Sequence, residues 1–175
     1  MAAGELLAQV GQKLEGAGAE PLVLCTNTMH KVAEAIESAV RIPLLHIADP
    51  TATKIDQAGF NKVGLLGTRF TMEQPFYKDR VVQYRGLQVL VPSAGDRDTI
   101  HRVIYEELCL GQVHESSRSD YQRVMADLVA RGAQAIILGC TEISLLVGQD
   151  DAPVPLFDTT AIHALSAVDW ALTGA

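Results

Sequence analysis

The sequence predicts an α/β protein of two pseudo-symmetric lobes, with parallel sheets flanked by helices and a site between the lobes. Two observations support this prediction. Short apolar segments typical of strands alternate with longer segments of helical periodicity. In addition, residues 10–24 resemble residues 124–138, and both copies run from a helix through Gly-Ala into an apolar strand and a polar turn. Two similar lobes that face each other would place these turns on opposite walls of one cleft.

The first part of the chain begins with a helix over residues 4–16, where the apolar positions have helical spacing. A strand follows over residues 21–24 and ends at small polar residues. Residues 31–40 are predicted to be helical, and residues 42–47 form a short strand. Asp49 is then expected to cap a helix that ends near Ala58.

The second part of the chain continues the same alternation to its end. The predicted strands cover residues 62–68, 87–91, 135–140 and 154–157. The predicted helices cover residues 71–84, 98–110, 119–130 and 159–172, and Thr159 is expected to cap the last of them. This order is typical of parallel sheets covered by helices.

Composition excludes several classes of protein. The 175 residues carry a net charge of −7, which disfavours nucleic-acid binding because phosphate contacts need a basic surface. No apolar run is long enough to span a membrane, and the first residues lack the basic start of a signal peptide. Three cysteines without framework spacing indicate reduced thiols, so we expect a cytoplasmic protein.

The stretch Leu22–His30 is the most informative segment of the sequence. Its apolar residues give way abruptly to Thr26, Asn27 and Thr28, as at the end of a buried parallel strand. Free backbone N–H groups at such a junction favour an anion, so the stretch predicts a site for a carboxylate or phosphate. Cys25 is at first sight its reactive group.

The internal repeat assigns the reactive position differently. Without a gap, Thr26 is equivalent to Cys140 and Cys25 is equivalent to Gly139. Successive side chains of a strand point to opposite sides, so a shift of one residue turns a side chain away from the cleft. We therefore expect Thr26 to face Cys140, and we interpret Cys25 and Cys109 as ordinary buried residues.

Four motifs in family order make the sequence resemble the aspartate/glutamate racemase family over almost the whole chain. They are Cys25–His30 (CTNTMH), Gly64–Thr71 (GLLGTRFT), Gly139–Ile143 (GCTEI) and Pro155–Thr159 (PLFDT). The resemblance implies a racemase of aspartate or glutamate that uses no cofactor and no pyridoxal phosphate. It also implies a homodimer whose subunits each hold a site between two lobes.

The sequence departs from this family in two respects. The family usually carries Cys-Asn-Thr where this chain has Thr26-Asn27-Thr28. Family members also begin with a strand, a glycine-rich turn, a helix and a second strand ahead of the helix predicted over residues 4–16. We therefore expect residues 1–47 and 159–175 to form a first lobe without that segment, and residues 48–158 to form the second. The missing segment is expected to supply groups that hold substrate carboxylates.

Racemisation needs one acid/base group on each face of the α-carbon. We assign these roles to Cys140 and Thr26, and we expect the Cys140 thiolate to be stabilised by a helix that begins at Thr141-Glu142. Thr26 is the weaker base and is expected to donate a proton or to relay one through water. The residues expected to bind substrate are Asn27, Thr28, Thr68, Thr71, Thr141 and Glu142. His30, Cys140 and His163 lack zinc-type spacing, so we predict no metal.

Three alternatives follow from the same residues. One is a related single-cysteine enzyme of proton transfer, such as a hydantoin racemase or a decarboxylase. Another is a truncated homologue without catalysis that binds a ligand or a partner chain, which an exposed apolar sheet edge would favour. The third is a thiol redox protein, for which the sequence offers no Cys-x-x-Cys pair.

Overall fold

The structure, a computed structural model, describes residues 2–174 except the side chains of residues 84 and 85. Its strands form two separate parallel sheets. The smaller sheet pairs β1 (Leu22–Val23) with β2 (Leu44–Leu45). The larger sheet has the order β4-β3-β5-β6, and its strands are β3 (Lys62–Gly67), β4 (Gln88–Leu90), β5 (Ala135–Gly139) and β6 (Leu156–Asp158). The predicted α/β class with parallel sheets flanked by helices is confirmed.

Helices separate the strands along the chain. They are α1 (Ala2–Gly16), α2 (Ala33–Glu37), α3 (Ala48–Gln57), α4 (Arg69–Glu73), α5 (Pro75–Arg85), α6 (Ala94–Glu106), α7 (Glu115–Ala130) and α8 (Thr159–Thr173). Short 3-10 turns cover Thr28–Val32, Leu108–Leu110, Ile143–Leu145 and Gln149–Asp151. Among residues 2–174, the structure contains no helix with the length and apolarity that a membrane span requires.

The core lies on both faces of the larger sheet, because side chains alternate along β3 and β5. Leu65 lies opposite Ile137 in the register, and both pack with α3 and α5 on one face. Leu66 lies opposite Leu138, and both pack with α6 and α7 on the other face. All four side chains are buried, as expected for central parallel strands.

The internal repeat has a structural counterpart. Gly18 ends the turn after α1 with φ 93°, and Gly132 ends the turn after α7 with φ 97°, a conformation that favours glycine. Leu22 then pairs with Leu44 in one sheet, and Ile136 pairs with Leu156 in the other. The predicted assignment of residues to two lobes stays a prediction.

The helix predicted over residues 71–84 is divided into α4 and α5. Gln74 adopts an extended conformation, with φ −76° and ψ 149°, and Pro75 is the first residue of α5. Proline disfavours a helical conformation in the residue before it and is tolerated at the start of a helix. The prediction of one continuous helix was wrong for this reason.

Two predicted helix caps are also wrong. Asp49 lies inside the first turn of α3, and its carboxylate pairs with the Arg80 guanidinium through two contacts of 2.7 Å. Thr159 is the first residue of α8, whose cap is Asp158, because the Asp158 carboxylate accepts the Thr160 N–H at 2.9 Å. The Thr159 hydroxyl is therefore available for the contacts described below.

An apolar groove of about 280 Å³ lies between α1 and the smaller sheet. It is lined by apolar side chains such as Leu7, Leu22 and Ile36. On α1 itself, Leu6, Val10 and Leu14 lie on one helical face and are 62%, 43% and 47% exposed. This exposed apolar surface belongs to a helix, whereas the sequence analysis considered an exposed sheet edge.

Candidate active site

A cavity of about 210 Å³ lies between the end of β1 and the end of β5. It brings together seven of the eight predicted site residues, namely Thr26, Asn27, Thr28, Thr68, Cys140, Thr141 and Glu142. Thr26 follows the smaller sheet, whereas Cys140 follows β5 of the larger sheet. The two proposed proton-transfer groups therefore share one cavity, although they come from different sheets.

Cys140 is buried, and its thiol forms a hydrogen bond with the Glu142 carboxylate. Its Sγ donates to Oε2 of Glu142 at 2.9 Å, and the Thr141 hydroxyl donates to the same oxygen at 2.7 Å. Burial, reinforced by the neighbouring carboxylate, raises the pKa of the Cys140 thiol far above its ordinary value. Burial alone would raise the pKa of Glu142, but the two hydrogen bonds lower it. The resting pair is therefore a thiol and a carboxylate.

The expectation that a helix stabilises the Cys140 thiolate was wrong. We expected a helix to begin at Thr141-Glu142 and to stabilise the thiolate. The structure has only the three-residue 3-10 turn Ile143–Leu145 there, which offers little dipole. The sulfur instead faces a carboxylate acceptor, so its proton is retained in the resting state and has an acceptor at hydrogen-bond distance.

Thr26 lines the cavity at the point where the smaller sheet has ended. Its N–H donates to the Leu24 carbonyl at 2.8 Å, and its carbonyl contacts Nδ1 of His30 at 2.7 Å. Cys25 does not line this cavity, as the register of the repeat predicted. Cys25 is exposed, however, so its interpretation as a buried residue was wrong.

Asn27 is almost fully buried and is fixed by a contact across the fold. The Thr159 hydroxyl donates to the Leu138 carbonyl at 2.8 Å, so its oxygen accepts from Nδ2 of Asn27 at 3.0 Å. This contact fixes the orientation of the Asn27 amide. Oδ1 of Asn27 is left as a buried acceptor without a hydrogen-bond partner in the described part of the chain.

A line of hydroxyl groups connects the two walls of the cavity. Oγ1 of Thr28 lies 3.1 Å from Oγ1 of Thr68, which lies 3.2 Å from Oγ1 of Thr71. Thr68 also caps α4 by accepting the Thr71 N–H at 3.3 Å. Thr71 itself is fully buried beneath Thr68 and does not line the cavity, so its expected contact with substrate is not supported.

Four further side chains line the cavity that the sequence did not indicate: Met29, Ile104, Tyr105 and Cys109. Cys109 is exposed in the 3-10 turn after α6, so its interpretation as an ordinary buried helix residue was wrong. Buried Glu107 holds this turn by accepting from Arg102 at 2.8 Å and from Ser117 at 2.5 Å. Met29 lies within the first family motif, whereas Ile104, Tyr105 and Cys109 lie outside all four, and no local pattern marks the end of α6 as a cavity wall.

In the part of the chain that the structure describes, the charged side chains that line the cavity are of one sign only, which is negative. Within residues 2–174, apart from the two side chains not described, no lysine, arginine or histidine lines it, and Glu142 contributes a carboxylate. The same part of the chain contains no cluster of three or more histidine, cysteine or acidic residues suited to a metal. The described polar groups that line the cavity are therefore two thiols, a carboxylate, an amide and hydroxyl groups.

The sequence matches the Asp/Glu/hydantoin racemase family over residues 1–167. The chain belongs to this family. A curated relative, the broad specificity amino-acid racemase RacX of Bacillus subtilis, is 25% identical over 158 residues. That match covers 89% of this chain and 66% of RacX, so the chain spans slightly less than two thirds of that relative. The resemblance predicted from the four motifs is confirmed.

Two solved structures show the same fold at higher identity. A candidate Asp/Glu racemase from Yersinia pestis is 56% identical with a TM-score of 0.94, over 98% of this chain and 75% of that one. An aspartate racemase homologue from Pyrococcus horikoshii OT3 is 33% identical with a TM-score of 0.86, over 97% of this chain and 74% of that one. The sheets described above are therefore those of the racemase fold.

Proposed function

We propose that this protein racemises an amino acid by proton transfer at both faces of the α-carbon, with Cys140 on one side and Thr26 on the other. The observation that carries the proposal is the single cavity that holds both residues. A substrate placed there has a different proton-transfer group toward each face. Removal of a proton on one side and delivery on the other inverts the configuration.

Glu142 provides the base that removes the proton of the Cys140 thiol. In the resting state the proton is on sulfur, so the thiol must lose it before the sulfur can remove the α-proton. Oε2 of Glu142, at 2.9 Å, receives that proton, so the negative charge of the pair moves from the carboxylate to the sulfur. The thiolate then takes the α-proton as the Cα–H bond breaks.

Thr26 acts as the donor on the opposite face. Its hydroxyl gives a proton to the α-carbon and is reprotonated by water, because a threonine alkoxide is too basic to persist, and Glu142 returns its proton to water, which restores the resting pair. A hydroxyl and a thiol differ greatly in acidity, so the two enantiomers are handled unequally. Equal rates of α-deuterium uptake from the separate enantiomers would contradict this part of the proposal.

The other polar groups that line the cavity can bind the amino and carboxylate groups that all amino-acid substrates share. Asn27 lines the cavity, but its unpaired Oδ1 is buried from solvent, so the substrate ammonium group reaches this acceptor only when the amide turns. The hydroxyl groups of Thr28, Thr68 and Thr141 line the same cavity and suit a carboxylate. Each of these groups has its orientation constrained by a contact within the protein.

The described lining of the cavity favours a substrate with an uncharged side chain. The resemblance predicts aspartate or glutamate, but no cation of the described residues lines the cavity, and the Glu142 carboxylate would repel a second one. Met29, Ile104 and Tyr105 offer apolar contact instead. RacX is named a broad specificity racemase, which is consistent with this preference. Independence from pyridoxal phosphate, the homodimer and the cytoplasmic location stay predictions.

The decisive experiment is α-proton exchange in heavy water, followed by NMR with the L- and D-forms of aspartate, glutamate, methionine and leucine. Wild type should exchange uncharged substrates fastest. Cys140→Ser and Thr26→Val should lose racemisation, whereas Thr26→Ser keeps the hydroxyl and should retain part of it. Cys25→Ser is the matched control and should behave as wild type, because Cys25 lies outside the cavity.

Other outcomes of this experiment distinguish the alternatives. No exchange in wild type would contradict the proposal and favour a homologue that only binds a ligand. Racemisation, and not merely exchange with retained configuration, that survives Thr26→Val but not Cys140→Ser would favour a single-cysteine enzyme of proton transfer. Loss with Cys25→Ser would contradict the register argued from the repeat. Faster exchange of aspartate or glutamate than of methionine would contradict the preference for an uncharged side chain.

A further inference from the structure

His30 makes two hydrogen bonds that fix its tautomer. The backbone N–H of Ile47 donates to Nε2 at 3.2 Å, so Nε2 carries no proton in the neutral ring. Nδ1 therefore carries the proton and donates it to the Thr26 carbonyl at 2.7 Å. The ring is almost fully buried and does not line the cavity.

We propose that His30 is a positioning residue for Thr26, which it holds at a fixed place relative to Cys140. The inference rests on the proposed function and adds a residue to it. Strand β1 ends at Val23, so the Thr26 carbonyl lies beyond the last paired residue of the sheet. The imidazole supplies the hydrogen bond that the sheet no longer provides at this point.

The two hydrogen bonds of His30 form a bridge between the Thr26 carbonyl and the Ile47 N–H, and Ile47 belongs to the core of the larger sheet. Ile47 is buried in the same apolar cluster as Ile137 of β5. Strand β5 ends at Gly139, directly before Cys140. The path from Thr26 through His30 and Ile47 to β5 therefore links the two walls of the cavity. A displacement of about 1 Å between proton-transfer groups is enough to slow a reaction about 100-fold.

The surroundings of His30 keep the ring neutral. Its centroid lies 4.3 Å from that of His46 and 6.1 Å from that of His163, and the ion pair of Asp49 with Arg80 lies nearby. Burial is the main reason that the pKa of His30 is lowered to about 4; the hydrogen bond to the Thr26 carbonyl and the Asp49 carboxylate oppose this lowering, and His163 and Arg80 add to it. A neutral ring can accept at one nitrogen and donate at the other, as the bridge requires.

Two substitutions of His30 each remove one of its two hydrogen bonds and keep the other. In His30→Asn the amide nitrogen can take the place of Nδ1 and still donate to Thr26, but the bond to Ile47 is lost. In His30→Gln the amide oxygen can take the place of Nε2 and still accept from Ile47, but the bond to Thr26 is lost. Each variant keeps one bond and loses one, so similar melting temperatures are expected.

Racemisation of methionine, followed by circular dichroism, measures the effect. We expect His30→Gln to lower kcat about 10- to 100-fold with little change in KM, and His30→Asn to stay much closer to wild type. In a Thr26→Val background, His30→Gln should cause no further loss of α-proton exchange, because His30 acts through Thr26. A merely structural role would predict equal losses in the two variants and additive losses in the double variant.

The outcomes distinguish this inference from the proposed function. Equal kcat values for His30→Asn and His30→Gln overturn the inference while the racemase remains. No exchange by wild type overturns both. Should His30→Gln fail to fold, ¹⁵N NMR of wild type decides, since a protonated Nδ1 with a bare Nε2 supports the bridge and the opposite tautomer overturns it.

Discussion

The thiol of Cys140 and the carboxylate of Glu142 share one proton across 2.9 Å, and the shared oxygen also accepts from Thr141. In the proposed function, these two residues, which are close in sequence, form the acid/base unit at the end of β5. The Glu142 carboxylate has opposite effects on the acidity of the Cys140 thiol and on its reactivity. It raises the pKa of the thiol, and it provides the acceptor through which the thiol becomes reactive.

Glu142→Gln separates these two effects. The pKa of Cys140 should fall, because a neutral amide no longer opposes the thiolate, and thiolate absorbance at 240 nm in a Cys25→Ser/Cys109→Ser background measures it. Racemisation should nevertheless fall about 10²- to 10⁴-fold, as for loss of a general acid/base. Glu37→Gln, at an exposed position of α2, is the control. Unchanged racemisation in Glu142→Gln would show that the thiol loses its proton elsewhere.

The three thiols should differ in their rates of alkylation. Cys25 and Cys109 are exposed, whereas Cys140 is buried and its pKa is raised by burial and by Glu142. Iodoacetamide at pH 8, with peptide mass spectrometry over time, should label Cys140 at least about tenfold more slowly than Cys25, because only the thiolate reacts. If Cys140 is labelled first, its resting state is a thiolate, as the sequence-based hypothesis held.

The free energy of unfolding should depend on pH through the buried histidines. Burial lowers the pKa of His30 to about 4 and that of His46 to about 3, from 6.5. The unfolded chain then binds protons that the folded chain does not, so stability is fully present above pH 6.5 and falls as the pH is lowered. The groups that face these rings are His163, Asp49 and Arg80.

Urea denaturation between pH 7 and 5 measures this dependence, since the carboxylates stay largely ionised there. Each buried histidine contributes a slope approaching about 1.4 kcal/mol per pH unit below its ordinary pKa. His46→Asn should remove about half of the combined slope, whereas His114→Asn, at an exposed position, should leave it unchanged. A flat profile in wild type would mean that both rings are protonated in the fold.

Gly64 should not tolerate a side chain. A Cβ there would lie 2.6 Å from Cδ1 of Ile136 and 2.9 Å from Cδ1 of Leu128, inside the core between β3 and α7. Gly64→Ala is expected to cost about 1–3 kcal/mol of the free energy of unfolding in urea. Gly95→Ala, in α6 with no atom within 4 Å of the new Cβ, should instead be neutral or stabilising by up to about 1 kcal/mol. Equal effects would contradict this packing.

The order of strands and helices follows from local patterns, so the sequence predicts it well. Strand β3 is apolar after Lys62 and strand β5 is apolar along its whole length, and both end at small polar residues, which marks them as central parallel strands. The presence of Thr26 and Cys140 in one cavity also follows from the sequence, because the internal repeat makes these two strand-end positions equivalent. Periodicity and register are both properties of neighbouring residues.

Features that depend on distant pairs could not be predicted in this way. Asn27 and Thr159 are 132 residues apart, and only the assembled fold shows that the Thr159 hydroxyl holds the amide instead of capping α8. The protonation of Cys140 depends on the rotamer of Glu142, which no pattern encodes. Cys109 reaches the cavity because α6 ends where the two walls meet, and helix ends are set by packing as much as by propensity.

The exposed leucine and valine side chains of α1 have a consequence for sequence change over evolutionary time. Leu6, Val10 and Leu14 remain about half exposed or more, so their apolar area adds little to the free energy of unfolding of the described residues. Selection for foldability alone would let polar residues accumulate there, while Gly4 and Gly11 on the packed face stay fixed by close contact with Ala35 and Val40. A library of α1 variants selected only for soluble expression would therefore drift toward polar residues on one face of the helix and not on the other.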